Sequence, residues 1–449
     1  MSAPSASHSA QHGITSKPDK TIMRCAAIAR RIFADCATPG LAVRLWDGSM
    51  PVRPADGEPR FCLEIRHPAA LRRMLLPPSE LNLGEAFVFG DYDISGDILA
   101  ATGLMDHFER LRLPPSDVLW LLSQLLALPA DYAAGRVRAA PHLRGVRHTR
   151  QRDRRSVQFH YDLSNDFYAL WLGEQMVYSC AYFRTGDEDI DTAQELKLDY
   201  ICRKLRLQPG ERLLDIGCGW GALVMHAAQH YAADATGITL SRNQATEAQR
   251  RIDNAGLRDR CRVILQDYRE VPPDRPFDKL VSIGMFEHVG ETKLPGYFAR
   301  AYDLLRPGGL FLNHGISAMK AGWRSRRTLG ELLLRRNSFM NRHVFPDGEL
   351  VDISRSLAAA EESRFEVRDV ECLREHYALT LRHWVRALET RHDEAIRHVD
   401  EPTYRVWRLY MAGVHHGFVS GRINVYQALL LKPDAEYSSL PLTREHLYR

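Results

Sequence analysis

From Ser156 onward, apolar runs alternate with stretches of helical spacing, the rhythm of an α/β sheet whose strands and helices come in turn. Residues 213–216 are apolar except for Asp215, as in a strand buried on both faces, and 222–228 have helix-forming composition. The same reading predicts further strands at 235–241, 262–268, 277–284 and 308–314, and a last one at 424–431. Helices are predicted at 191–205, 242–255, 375–398 and 403–418. Residues 324–340, rich in Arg and Leu, read as a helix that is a lid, a membrane-facing segment or an amphipathic element on the sheet.

Before Ser156 the pattern is different. Residues 22–37 have helical spacing, with Ile22, Ala26, Ala29 and Phe33 on one face. Residues 40–48 alternate like a strand ending in an Asp-Gly turn, and 61–66 look like its partner. A short helix at 68–76, further strand material at 83–94 and an apolar helix at 116–128 capped by Ser116 complete a small α+β domain. The expected domains are a disordered leader (1–20), an N-terminal α+β lipid-handling or dimerisation domain (21–130), a basic linker (131–155) and a catalytic domain (156–449). A homodimer is therefore among the expected partners.

Composition changes this picture only locally. The chain is 45% hydrophobic and 26% charged, ordinary for a globular protein, and no window approaches ~20 consecutive apolar residues. Eight cysteines show no paired spacing, which points to a reduced, cytoplasmic setting without structural zinc or another bound metal. The net charge is only +4, but eight arginines fall between Arg136 and Arg155 with Asp153 the only acid. Such a segment is either a solvated connector or a site of attraction to anionic phosphate. No aromatics alternate with these arginines for base stacking, so nucleic acid is not expected and a membrane surface is.

Chemistry concentrates where the first strand of the α/β part ends. Gly217, Gly219 and Gly221 allow a ligand close to the backbone, and Asp215 stands two residues before the first of them. That spacing suits S-adenosylmethionine better than a dinucleotide. Ligands of open α/β sheets bind beyond the carboxyl ends of strands, and Gly217, Thr239, Asp267, Glu287 and His314 all fall at such ends. The expected fold is a Rossmann-like S-adenosylmethionine-dependent methyltransferase sheet with a small N-terminal α+β domain.

Several words then match one family. They are His160-Tyr-Asp-Leu-Ser-Asn-Asp-Phe-Tyr168, Tyr178-Ser-Cys-Ala-Tyr182, Asp215-Ile-Gly-Cys-Gly-Trp-Gly221, Gly237-Ile-Thr-Leu-Ser-Arg-Asn-Gln244, Gln266-Asp-Tyr-Arg269, Met285-Phe-Glu-His-Val-Gly290 and His376-Tyr-Ala-Leu-Thr-Leu381. Over about 156–432 the chain resembles the cyclopropane-fatty-acyl-phospholipid synthases and mycolic acid cyclopropane synthases. More weakly, through Gly84-Glu-Ala-Phe87 and Gly90-Asp-Tyr-Asp-Ile94, the first domain resembles the lipid-handling domain of the phospholipid-acting members.

The resemblance implies methylene transfer from S-adenosylmethionine to the double bond of an unsaturated acyl chain of a phospholipid, with the enzyme on the inner face of the membrane. It implies a bound bicarbonate as base, held by Cys180 and Ile316 through backbone groups and by the side chains of Glu287, His314 and Tyr377. Tyr178, Ser179, Gly217, Gly219, Thr239, Leu240, Gln244 and Asp267 match cofactor contacts, with Asp267 an acceptor for the adenine amine. The family usually carries a Cys where this chain has Val414. That departure keeps a C-methyltransferase making methyl- or methylene-branched chains as an alternative, and a non-catalytic lipid- or cofactor-binding protein as a second.

Overall fold

Leu41–Arg44 (β1), Phe61–Ile65 (β2) and Tyr92–Gly96 (β3) form a three-stranded sheet in the computed structural model, which describes residues 19–130, 148–318, 338–434 and 440–448, with 56 and 162 excepted. The expected leader (except 19–20), most of the expected linker and 324–337 lie outside those residues. The Asp47-Gly48 turn folds the chain back as predicted, bridging Val43 to Val52, but β2 then pairs with β1 in parallel. The helix Lys20–Ile32 buries Cys25, Ile28, Ala29 and Ile32. The helix Pro115–Leu126 is capped at Pro114 rather than Ser116, because a proline in the first turn gives up only an N–H that has no helical partner. Arg24 and Arg72 donate to carbonyls at its C-terminal end, Ala127 and Leu128 among them. Val118, Leu119, Trp120, Leu122 and Leu126 remain exposed on it. No helix among the described residues is long and apolar enough to cross a membrane.

The chain divides into two compact units, 1–78 with 90–134, and 79–89 with 135–449. Of the strand material expected over 83–94, residues 83–88 belong instead to a helix, Glu80–Val88, of the second unit. Ser79 Oγ accepts from Asn82 N at 3.1 Å and caps it, and Leu81, Gly84, Ala86, Phe87 and Val88 are buried. Cap and spacing outweigh the strand preference of Phe87-Val88-Phe89. The Arg405 guanidinium lies 4.8 Å from the Phe87 ring centre and donates to its carbonyl at 3.2 Å.

The large sheet consists of β4 (Arg212–Ile216), β5 (Asp234–Thr239), β6 (Cys261–Leu265), β7 (Phe277–Ile283), β8 (Leu305–Ala318), β9 (Glu366–Cys372) and β10 (Ile423–Leu431). Its order is β6-β5-β4-β7-β8-β10-β9, with β10 antiparallel to both neighbours and the other pairs parallel. Alternate residues feed two apolar layers. Leu214, Ile216, Leu280 and Phe311 belong to one, while Leu213, Val281, Leu310 and Leu312 belong to the other. A sheet covered on both faces explains why its strands read as unbroken apolar runs. Edge strand β9 escaped prediction because its side chains are at most half-buried and four of its seven residues are charged. The helix expected over 375–398 is two, Arg374–Thr390 and His392–His398, broken at Arg391.

Candidate active site

The chain runs from β4 to β5 and β6 on one side, then crosses to β7 and β8 on the other, so the carboxyl end of β4 is the switch point of the sheet. A cleft of about 390 Å³ opens there. Gly217, at φ +86°, turns the backbone under it, and a Cβ at this position would lie 2.9 Å from Met285 Cβ. Tyr178, Ser179, Gly217, Gly219, Thr239, Leu240, Gln244 and Asp267 all line the cleft.

Two polar groups in the wall have part of their capacity left over. Thr239 Oγ1 donates to Gln244 Oε1 at 2.7 Å, which leaves the Gln244 amide N–H groups as donors for a ligand. Asp267 is clamped by Arg269, whose Nε and Nη2 reach its two oxygens at 2.8 and 2.6 Å and whose backbone N–H adds a third bond. Burial pushes the Asp267 carboxyl up, but Arg269 outweighs it and holds the group below its ordinary value. A carboxylate has about four lone-pair sites. Asp267 can therefore take about one more donor, as an adenine amine would supply.

Glu287, His314, Tyr377, Cys180 and Ile316 do not line the cleft; Glu287 and Cys180 adjoin the lining residues His288 and Ser179 in the chain, and His314 pairs in the sheet with Ile283, which also lines it. Glu287 Oε1 accepts from Ile316 N at 2.7 Å, so that amide is engaged by the carboxylate; Oε2 is buried without a partner. His314 sits on β8, two residues from Ile316 and on the same face. The Gln427 amide donates to His314 Nδ1 at 3.2 Å, which places the ring proton on Nε2, itself buried and without a partner. Burial, with the charges of Lys197 and Lys204, pushes His314 down to about 3, so the ring is neutral. Burial pushes the Cys180 thiol well above its ordinary value, which makes it inert. Burial also raises Tyr377 well above the ordinary phenol range, with Tyr410, Cys180 and Glu287 adding to it.

An aromatic wall closes the cluster. His160 Nδ1 contacts the Val344 carbonyl at 3.0 Å, and a carbonyl can only accept. In the neutral ring Nε2 therefore accepts from Tyr178 (3.2 Å), whose oxygen in turn accepts from Tyr410 (3.2 Å). Trp171, Trp384 and Trp407 pack within 6.0 Å, centre to centre, of the Tyr178 ring.

Burial, opposed by the Ile316 N–H, raises Glu287 to about 7 from an ordinary 4.5. A folded-state value above the unfolded one means that the fold binds the proton more tightly, so stability is full below 4.5 and is lost as pH rises towards 7. Glu287→Gln should therefore be the more stable protein at pH 8, by roughly 1–3 kcal/mol, with the gap closing below pH 4.5. Urea midpoints at the two pH values check this; an equal gap at both would show that burial is not the cause.

Gln427, Lys197 and Arg269 were not singled out from the sequence. Gln427 was visible as an amide at the head of the apolar run 428–431 of β10. Lys197 was visible as a cation between Ala193 and Ile201 on the buried stripe of the helix Ile190–Lys204. Arg269 stood within a matched word without an assigned role. Of the basic stretch, Arg150 pairs with Glu270 and Arg152 with Asp347, so those charges are spent within the protein, while Arg154 and Arg155 are exposed.

The chain matches the mycolic acid cyclopropane synthetase family over residues 148–428. It is 41% identical over 412 residues to a probable fatty acid methyltransferase of Pseudomonas putida, covering 91% of this chain and 96% of that one. Cyclopropane mycolic acid synthase 1 of Mycobacterium tuberculosis is 38% identical over 274 residues, covering 61% and 95%. The solved structure of a mycolic acid cyclopropane synthase (CmaA1) complexed with SAH and CTAB superposes with a TM-score of 0.58 at 36% identity, covering 65% of this chain and 99% of that one.

Proposed function

Because the chain belongs to the mycolic acid cyclopropane synthetase family and is an S-adenosylmethionine-dependent fatty acyl methyltransferase, we propose that it transfers a methylene group to the double bond of an unsaturated acyl chain. The acceptor is a phospholipid presented at a membrane surface, and the product is a cyclopropane. The observation that carries this reading is the pair of buried atoms without partners, Glu287 Oε2 and His314 Nε2. Leaving two such groups unpaired costs about 1–3 kcal/mol each, and a small polar anion beside them relieves that cost.

Bicarbonate fits this donor set. His314 donates through Nε2–H, and a Glu287 carboxyl that burial keeps partly protonated near neutral pH can donate as well. The Tyr377 hydroxyl and the Cys180 backbone N–H make no hydrogen bond among the described residues and complete the cradle. When bound, bicarbonate supplies a base that is not itself methylated. Gln427 fixes the proton of His314, and Ile316 holds one oxygen of Glu287, so both groups are oriented before substrate arrives. The wall of Tyr178, Tyr410, Trp171, Trp384 and Trp407 excludes water that would otherwise quench a carbocation, and its ring faces favour positive charge.

A second reading has one observation of its own. Val414 is half-buried on the helix Glu401–Val419, where the resembling enzymes carry a Cys, and the Pseudomonas putida relative is named only as a fatty acid methyltransferase. A reshaped pocket there would let the substrate cation lose a different proton and give a branched chain. Proton NMR of unsaturated phospholipid vesicles after incubation with enzyme, S-adenosylmethionine and bicarbonate decides between them. Upfield cyclopropane methylene signals are expected. Methyl-branch or exocyclic alkene signals in their place would transfer the assignment to the second reading.

A further inference from the structure

Three polar side chains stand in a row on one face of the large sheet. His314 on β8 lies directly opposite Gln427 on β10, and Gln427 directly opposite Glu371 on β9. Opposed residues on neighbouring strands share a face, with Cβ atoms about 5 Å apart. The helix Ile190–Lys204 packs on that face, since its Leu198 and Ile201 join Leu310, Leu312, Leu429 and Leu431 in one apolar layer. There Lys204 is 1% exposed and Gln427 fully buried.

Glu371 is the natural acceptor for the Gln427 amide, yet among the described residues the two make no hydrogen bond. Instead Lys204 Nζ and the Tyr200 hydroxyl both donate to Glu371 Oε2, the hydroxyl at 3.0 Å. Gln427 turns its Nε2 to His314 Nδ1 and leaves its Oε1 buried without a partner. The opposite amide orientation would seat Nε2 on Glu371 and Oε1 on a protonated Nδ1. The imidazole would then carry its proton on Nδ1, and its bare Nε2 could no longer donate. A buried ion pair adds little stability over an apolar pair of the same size, so stability alone does not account for Lys204.

We propose that Lys204 and Tyr200 are positioning residues for His314: by occupying Glu371 they keep the Gln427 amide, and through it the ring proton, in the arrangement that leaves an Nε2–H donor. The charge of Lys204 reaches the ring, since with burial and Lys197 it holds His314 below its ordinary value. Asp369 also lies 3.5 Å from Lys204 Nζ but keeps Arg444 at 2.7 Å, so the carboxylate released on losing Lys204 is Glu371. The catalytic value of this arrangement rests on His314 donating to the bound anion, whereas the place of its proton can be read without any substrate.

Nitrogen-15 NMR of histidine-labelled protein near neutral pH reports the tautomer, with the His314 signals assigned by their loss in His314→Ala. Wild type should show Nε2–H. Lys204→Met should move the ratio towards Nδ1–H by about 10-fold or more, the scale of one hydrogen bond to a charged group. Lys204→Met/Glu371→Leu should return the ring to Nε2–H, because the competing acceptor has gone too, and Lys204→Arg should keep it there. With a merely structural Lys204, the double variant would be no closer to wild type than the single one. A wild-type ring protonated on Nδ1, an unchanged spectrum in Lys204→Met, or an Nδ1–H ring in the double variant would overturn the proposal. Should Lys204→Met fail to fold, Tyr200→Phe decides, since it removes one hydroxyl only: an added Nδ1–H population supports the proposal and an unchanged spectrum refutes it. Methyl transfer by Lys204→Met should fall with its Nε2–H population. A switched ring with unimpaired turnover would speak against His314 as the donor to the anion while bearing out its positioning, a separate failure.

Discussion

Glu287→Gln is expected to lower turnover by about 10²–10⁴-fold, the usual scale for losing an acid–base group, while S-adenosylhomocysteine affinity stays within a few-fold of wild type. Shape is conserved, so Oε1 still accepts from Ile316 N. What disappears is the capacity of the second atom to hold or release a proton. His314→Ala should have an effect of the same order, because it removes the Nε2 donor and leaves the Gln427 amide facing a void. Neither residue lines the cleft, which is why binding should survive. Steady-state methyl transfer alongside calorimetry separates the two quantities. Near-normal rates for either variant with bicarbonate present would remove that residue from the proposed cradle.

Gly315→Ala should be nearly as damaging by another route. A Cβ there would overlap Phe286 Cε1 and Cδ1. Phe286 is buried in the larger apolar cluster of the sheet, so its ring has nowhere open to go. Overpacking of this kind costs about 1–3 kcal/mol, and Phe286 is the residue before Glu287. The variant should therefore lose stability by that amount and most of its activity together. Denaturant midpoints and rates measured on one preparation check the pairing. A wild-type midpoint would mean that the ring swings aside at no cost.

The two predictions rest on residues of different legibility. The glycine turn and the strand ends could be read directly, because a doubly covered sheet writes its strands as apolar runs and its ligand groups as the polar residues that end them. Glu287, His314 and Tyr377 needed matching words, since one buried Glu or His has no period of its own. Residues 83–88 read as strand because Phe87-Val88-Phe89 favours one locally, while the capping Ser79 and packing make them part of a helix. Gln427 and Lys197 went unassigned for a related reason: a polar residue on a buried stripe shows that a partner exists but not which one. The partner comes from residue 314 in one case and 179 in the other, separations that only the folded sheet closes.

β10 carries a consequence for the order in which the molecule is made. It lies between β8 and β9, pairing Leu431 with Leu310 and Gln427 with His314, although it is the last strand among the described residues. While synthesis has not passed residue 423, β8 is an open edge lined by Leu310, Phe311 and Leu312, a template for pairing with a neighbouring chain. The cofactor end of the sheet, β4 to β7, makes no strand pairing with β10 and can assemble earlier. Emerging polypeptides should thus acquire a nucleoside pocket before they acquire an oriented histidine, and the interval between is when a chaperone has most to shield. Released chains truncated at 422 and at 434, compared by the protease sensitivity of β8, would show that state directly; equal sensitivity would mean that β8 is covered by something else first.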